Sequence, residues 1–331
     1  MAIDVLRGLA IAVMIFVDLP GRYGAKPQPL QHTVWAGLRL ADVVFPAFLV
    51  ASGAALALQR RRRSTWSILG RAGRLAILGV VLVDIHYSSW SIVSGVLQFI
   101  AGSWLIGALA MRLGARGRFL LAVGLMAATL VAHAVPLAGH YTSGWGPHGI
   151  DDAVDSFVFG GRSDQGLVGL LGGGVIVILA SLVAQWVIAT SSAATRVRRL
   201  LGCGALVAVM GLALEFAGVP VVKRLWSPSF VLITLAWCLA VWAALEVMLV
   251  SRLVRRGLQP AVALSRNAVS FYALLILLVA FLPATFGDSF VDWFEPRIGM
   301  AAGSLMFSAG VVAVFAVVAM VLDRWKIVLR V

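Results

Sequence analysis

Ten apolar segments recur along the chain, at 5–19, 43–59, 71–84, 92–111, 118–138, 166–189, 200–219, 229–250, 260–283 and 300–322. Most approach the ~20 residues that one helix needs to cross a ~30 Å hydrocarbon layer, and 71–84 is the shortest of them. Nothing in such a layer can hydrogen-bond a bare backbone, so the segments are expected to be α-helices. The alternation over ~10 residues expected of barrel strands is missing. The chain is 61% hydrophobic and 12% charged, against about a quarter charged in soluble domains. It therefore reads as a single all-α domain over 1–331, a polytopic transmembrane helical bundle of about ten spans.

The net charge of +13 resembles a nucleic-acid signal until the basic residues are placed on the loops. Arg60 to Arg63, Arg71 and Arg74 follow the second segment, Arg112, Arg116 and Arg118 the fourth, and Arg196, Arg198 and Arg199 the sixth. Arg252, Arg255, Arg256 and Arg266 follow the eighth; Arg324, Lys326 and Arg330 follow the tenth. With Arg7, about twenty of the 27 Lys and Arg residues fall on one face. The positive-inside rule then makes both termini cytoplasmic and puts the loop carrying His32 outside. The basic runs are topology signals and lipid contacts, so a lipid bilayer and not nucleic acid is the expected partner. A multi-pass protein of a bacterial-type inner or plasma membrane is the expected location. Asp4 ahead of the first segment, and no small-x-small site behind it, argue for a retained helix rather than a cleaved signal. Cys203 and Cys238 fall in mid-segment, where packing is their expected role. No P-loop and no G-x-G-x-x-G pattern is present, which argues against nucleotide hydrolysis and dinucleotide binding.

Polar residues at the ends of apolar segments cost free energy unless they line a cavity. The first fifth of the chain concentrates them: Asp18 closes the first segment, His32 and Trp35 lie in a Pro-containing loop, and Asp42 opens the second. Histidine is the side chain that ordinarily titrates near neutral pH, so His32 can act as a general base, with Asp18 orienting it or stabilising its charged form. The alternative is an interfacial histidine bonded to backbone beside a hydrated Asp18. Asp42 either caps the second helix or contacts the surroundings of His32. Lys223, Arg224 and Trp226 are either an interfacial anchor or part of a site. Asn267 is either a helix cap or a ligand contact. His140 and His148 with Asp151, Asp152 and Asp155 match no standard zinc spacing, so no metal is expected. Asp155 and Tyr141 are better read as sugar contacts at the outer mouth. Gly172 to Gly174 permit close helix packing.

The segment 3–54, IDVLRGLAIAVMIFVDLPGRYGAKPQPLQHTVWAGLRLADVVFPAFLVASGA, resembles the N-terminal core of the heparan-α-glucosaminide N-acetyltransferase family. The resemblance continues at GVLQFIAG (95–102), SDQGLVGLLGGG (163–174), VPVVKRLWSPSFVL (219–232) and LSRNAVSFY (264–272). It implies a membrane enzyme that moves an acetyl group from cytosolic acetyl-CoA to a terminal glucosamine across the membrane, with no metal. It makes His32 the active-site histidine, acting as base or as transient acetyl carrier. Asp18 stands where the family usually has asparagine, so it becomes a second base or a histidine partner. The resemblance implies coenzyme contacts at Arg7, Gln98, Ser229 and Asn267. It implies acceptor contacts at Trp35, Asp42, Asp164, Lys223 and Trp226, and makes a homodimer plausible. Phe99 replaces an arginine that would hold a phosphate, and Gln165 replaces a glutamate beside Asp164. The acceptor is an amino sugar or polysaccharide; O-acetylation of an envelope polysaccharide and small-molecule transport are the competing expectations.

Overall fold

The computed structural model describes residues 1–59, 64–87, 95–136, 142–160, 165–282 and 284–329. Its helices are, in chain order, α1 (Ala2–Asp18), α2 (Leu40–Ala57), α3 (Thr65–Tyr87), α4 (Val96–Ala110), α5 (Ala115–Ala134), α6 (Ile150–Phe159) and α7 (Gly169–Ile188). They continue as α8 (Ala193–Phe216), α9 (Pro228–Met248), α10 (Arg252–Gly257), α11 (Gln259–Arg266), α12 (Ala268–Phe281), α13 (Ala284–Ile298) and α14 (Met300–Arg324). The all-α expectation holds: among the described residues the sole β feature is an isolated antiparallel bridge between Ala36 and Val222.

Length and breaks leave fewer candidate spans among the described residues than the ten or so expected. Among the described residues six helices are long and apolar enough to cross a membrane: α2, α5, α7, α8, α9 and α14. A seventh crossing arises if α11 and α12 form one span, although they meet at an angle of 84°. The segment 260–283 is thus not a straight helix; it breaks at Asn267, whose side chain holds the C-terminal tail instead of continuing the helix. The segment at 92–111 shortens to the 15 residues of α4. The one at 71–84 lengthens to the 23 residues of α3, which carries Arg71, Arg74 and Asp84.

Glycine sets how closely the central helices approach. A methyl group on Gly53 of α2 would lie 2.3 Å from the Val177 carbonyl oxygen of α7, and one on Gly8 would fall on the Ala261 carbonyl of α11. At Gly173 it would meet Ser103 and Phe99 of α4. These contacts make α7 the hub on which α2, α4 and α5 pack, with α1 wedged between α2 and α11. Such close backbone approach is the main attraction between helices where lipid removes any hydrophobic driving force.

Loop bonds fix what lies at the α1–α2 end. Gly37 N–H donates to the Val221 carbonyl at 2.8 Å, with Gly37 at φ +111°, a conformation open to glycine. The 220–227 turn is held in turn by Ser227, whose hydroxyl accepts from the amides of Val222 and Phe230 and donates to the Pro220 carbonyl. Pairing 36–37 with 221–222 sets Lys223 beside His32 although 191 residues separate them.

Candidate functional site

His32 sits between two carboxylates and a lysine. Its Nδ1 lies 3.0 Å from Asp42 Oδ1 and 2.9 Å from Lys223 Nζ, and Lys223 Nζ is 3.2 Å from the same Asp42 oxygen. Nδ1 cannot serve both neighbours at once: the carboxylate needs an N–H, the ammonium a bare lone pair. With Nδ1–H on Asp42 and Lys223 also on Asp42, Nε2 becomes the free basic nitrogen. Nε2 faces Asp18, whose Oδ1 is 3.9 Å away, an ion-pair distance and beyond a hydrogen bond.

Asp42 is fully buried at the third residue of α2. Its Oδ2 accepts from the backbone N–H groups of Arg39 and Thr33, so it caps the helix and holds the imidazole together. It is buried behind His32 and does not line the cavity that opens there, whereas acceptor contact was its expected role. The orienting role expected of Asp18 thus falls to Asp42, because Asp42 is the carboxylate within hydrogen-bond reach. Burial pushes the Lys223 ammonium below its ordinary range, with Asp42 and Asp18 opposing that shift.

A cavity of about 340 Å³ opens on this group, lined by Asp18, His32, Trp35, Gln165, Lys223 and Arg224 among others. A second cavity of about 610 Å³ lies toward the other end of the bundle, where Arg7, Gln59, Arg71, Arg74, Arg266, Asn267 and the tail residues Val328 and Leu329 converge. Met14 of α1, Phe45 of α2 and Val96 of α4 line both cavities. The two spaces therefore adjoin across three shared apolar side chains, with cations on one side and the imidazole on the other.

Of the residues expected in the site, Asp18, His32, Trp35 and Lys223 line the smaller cavity, and Arg7 and Asn267 the larger. Arg7 donates to the Ala51 carbonyl of α2. Both ends of the Asn267 amide are engaged by the tail, donating to Ile327 O and accepting from Leu329 N. Gln98 lies outside both linings, packed against Gly79 and Gly95. Ser229 is buried and donates to the Pro220 carbonyl. Trp226 is likewise no cavity wall. It is fully buried at φ +48°, stacked on Phe99 at 4.6 Å, edge-on to Phe45 and Phe230, with its indole N–H on Gln165 Oε1. That aromatic cage holds a backbone conformation rare outside glycine. Phe99 is consequently a packing residue, and the cations of the larger cavity come from other helices. Asp155, expected at the outer mouth, is buried and accepts from Leu167 N–H. Asp164, Tyr141 and His140 lie outside the described residues.

Sequence reasoning placed Arg71, Arg74 and Arg266 among the cytoplasmic arginines, mostly as topology signals, without singling them out as cavity residues. The signal that could have found them is the apolar spacing of α3, which carries two arginines inside a helix.

Residues 1–146 match the family model described as "Heparan-alpha-glucosaminide N-acetyltransferase, catalytic". The heparan-alpha-glucosaminide N-acetyltransferase of Mus musculus is 35% identical over 111 residues, covering 29% of this chain and 16% of that protein. The Homo sapiens protein of the same name is 33% identical over 112 residues, with the same coverage of 29% and 16%. The aligned stretch thus spans a small part of either relative. Residues 1–146, which hold Arg7, Asp18, His32, Trp35 and Asp42, match the catalytic region of the heparan-alpha-glucosaminide N-acetyltransferase family.

Proposed function

We propose that this protein is a transmembrane acyltransferase that takes an acetyl group from acetyl-CoA on its arginine-rich face and delivers it to an amino sugar on the His32 face. The observation that carries this reading is the pair of cavities adjoining at Met14, Phe45 and Val96. Coenzyme A has a polyanionic head that cannot enter hydrocarbon cheaply, and a thin, largely neutral arm that can. Arg7, Arg71, Arg74 and Arg266 suit the head; the shared apolar side chains suit the arm. A carrier with alternating access would instead need the route to close at one end as it opens at the other.

In the reaction the acceptor amine attacks the thioester carbonyl, a C–N bond forms, the C–S bond breaks and coenzyme A leaves as the thiolate. His32 Nε2 takes the amine proton as it is lost. The Nδ1–H bond to Asp42 and the nearby Asp18 carboxylate stabilise the imidazolium that results. Direct transfer needs no nucleophile other than the acceptor, and positioning across those side chains supplies the rest. Arg7, Asn267 and the cytoplasmic side belong to the donor; Trp35, Lys223 and Gln165 to the acceptor.

The test is vectorial. Radiolabelled acetyl-CoA is supplied to proteoliposomes on the arginine face and glucosamine on the other, with native protein and His32→Ala compared. Label on the sugar with native protein, reduced by roughly 10²–10⁴-fold in the variant, is the expected result. Donor binding without labelled glucosamine would replace the acceptor by another envelope sugar. No donor binding would overturn the acyltransferase reading.

A further inference from the structure

Behind Trp35 lies a second histidine–carboxylate pair that the transfer chemistry does not use. His133, in the last turn of α5, and Asp151, in the first turn of α6, have side chains only 1% and 5% exposed. His133 Nδ1 lies 2.9 Å from the Thr129 carbonyl and Nε2 lies 2.9 Å from Asp151 Oδ2. A carbonyl can only accept, so Nδ1 carries a hydrogen. Nε2 and the carboxyl then need one more proton between them, as imidazolium–carboxylate or imidazole–carboxylic acid, and either form is neutral as a pair.

This pair anchors the wall of the smaller cavity. The Trp145 ring stacks on His133 with centroids 4.1 Å apart and planes 10° from parallel. The Trp145 carbonyl accepts from Trp35 Nε1 at 3.1 Å, and Trp35 lines the His32 cavity. The 142–149 loop is tied to the same histidine through Gly144 N–H on the His133 carbonyl, and closed on itself by Thr142 N–H on His148 O. Gly166, at φ +65°, leaves room for Asp151: a methyl there would lie 2.8 Å from Oδ1. The charged groups around the pair are Asp152 and Asp155 on α6, His148 on the loop and Arg224, which pairs with Asp152 at 3.6 Å. Burial raises the Asp151 carboxyl above its ordinary range, consistent with a shared proton.

We propose that His133 and Asp151 are a proton-bridged positioning pair that fixes Trp35, through Trp145, as the acceptor-facing wall of the His32 cavity. The pair then governs acceptor affinity rather than donor binding or the chemical step. The assignment of that wall to the acceptor rests on the acyl-transfer reading.

The full-length protein in nanodiscs tests it with two readouts. Asp151→Ala removes the bridge, whereas Asp151→Asn replaces it by an amide N–H donated to Nε2 without a shared proton. Asp151→Ala is expected to raise the glucosamine KM roughly tenfold or more, with kcat and acetyl-CoA KM within about twofold, and Asp151→Asn to restore native values within about threefold. Trp35→Phe, which removes the indole N–H, should match Asp151→Ala, and the double variant should be no worse than either single one. Hydrogen exchange should rise at 33–37 and 142–149 in Asp151→Ala but not in Asp151→Asn, and stay native in α2 and α7. Equal loss for donor and acceptor, or unchanged kinetics, would overturn the positioning role. Exchange at 33–37 that does not respond would overturn it whatever the kinetics. If native protein transfers acetyl to no amino sugar, the acyl-transfer reading fails, and the exchange experiment still decides whether the pair fixes Trp35.

Discussion

At the scale of single residues, the site turns on which neighbour holds each nitrogen of His32. Asp42→Asn keeps the shape of the side chain and its backbone bonds but cannot balance an imidazolium. It should lower kcat roughly 10²-fold while leaving acetyl-CoA KM within about threefold, measured by steady-state transfer. Asp151 gives a prediction about stability. Its folded value is raised above the ordinary 3.8, so the folded state binds more protons than the unfolded one between those two values. That stabilisation is full below 3.8 and is lost as pH rises through the raised folded value. Thermal unfolding of native protein in detergent should therefore fall over that window, and Asp151→Asn should flatten the fall. His32, Trp35 and Lys223 were legible as site candidates because polar side chains at membrane-segment ends are costly without a purpose. His133 was not, since one histidine inside an apolar run carries no signal until α6 supplies its carboxylate.

At the scale of elements, glycine decides which helices can be neighbours. Gly53→Ala would push α2 away from the Val177 carbonyl and should lower stability by about 1–3 kcal/mol in thermal unfolding. Gly124→Ala in α5, where a methyl would meet no atom within 4 Å, should be neutral or slightly stabilising. Apolar length located α2, α7, α9 and α14 closely, because lipid leaves the backbone no alternative to a helix. The same signal fused α11 and α12 into one segment. It could not see the break at Asn267, which exists because a distant tail occupies the amide. Trp226 differs for a related reason: its position beside Lys223 suggests an interfacial anchor or an acceptor contact, but the positive-φ turn swings it into the core.

At the scale of the whole molecule, the acyl-transfer reading assigns donor affinity to the larger cavity and transfer to the apolar residues it shares with the smaller one. Val96→Phe should crowd that shared boundary and cut acetyl transfer more than about tenfold, with acetyl-CoA binding by calorimetry changed less than about threefold. Arg71→Ala with Arg74→Ala should do the reverse. It should weaken acetyl-CoA binding by about tenfold, with a reduced dependence on salt, and leave kcat at saturating donor near native. Observing both patterns would place the donor head and the acyl group at opposite ends of one route.

The amino-acid sequence alone determined that the chain is a helical membrane bundle, which residues end its apolar segments in polar groups, and which motifs along it resemble an acetyltransferase. Those properties follow from hydrophobic length and local chemistry, which a chain carries whatever its tertiary contacts. The tertiary structure alone decided that Lys223 meets His32, that Asp42 rather than Asp18 holds the imidazole, and that Arg71, Arg74 and Arg266 share a cavity with Arg7. Each of those depends on helices brought together by glycine contacts and loop bonds between residues far apart in the chain, and no local pattern records such distances.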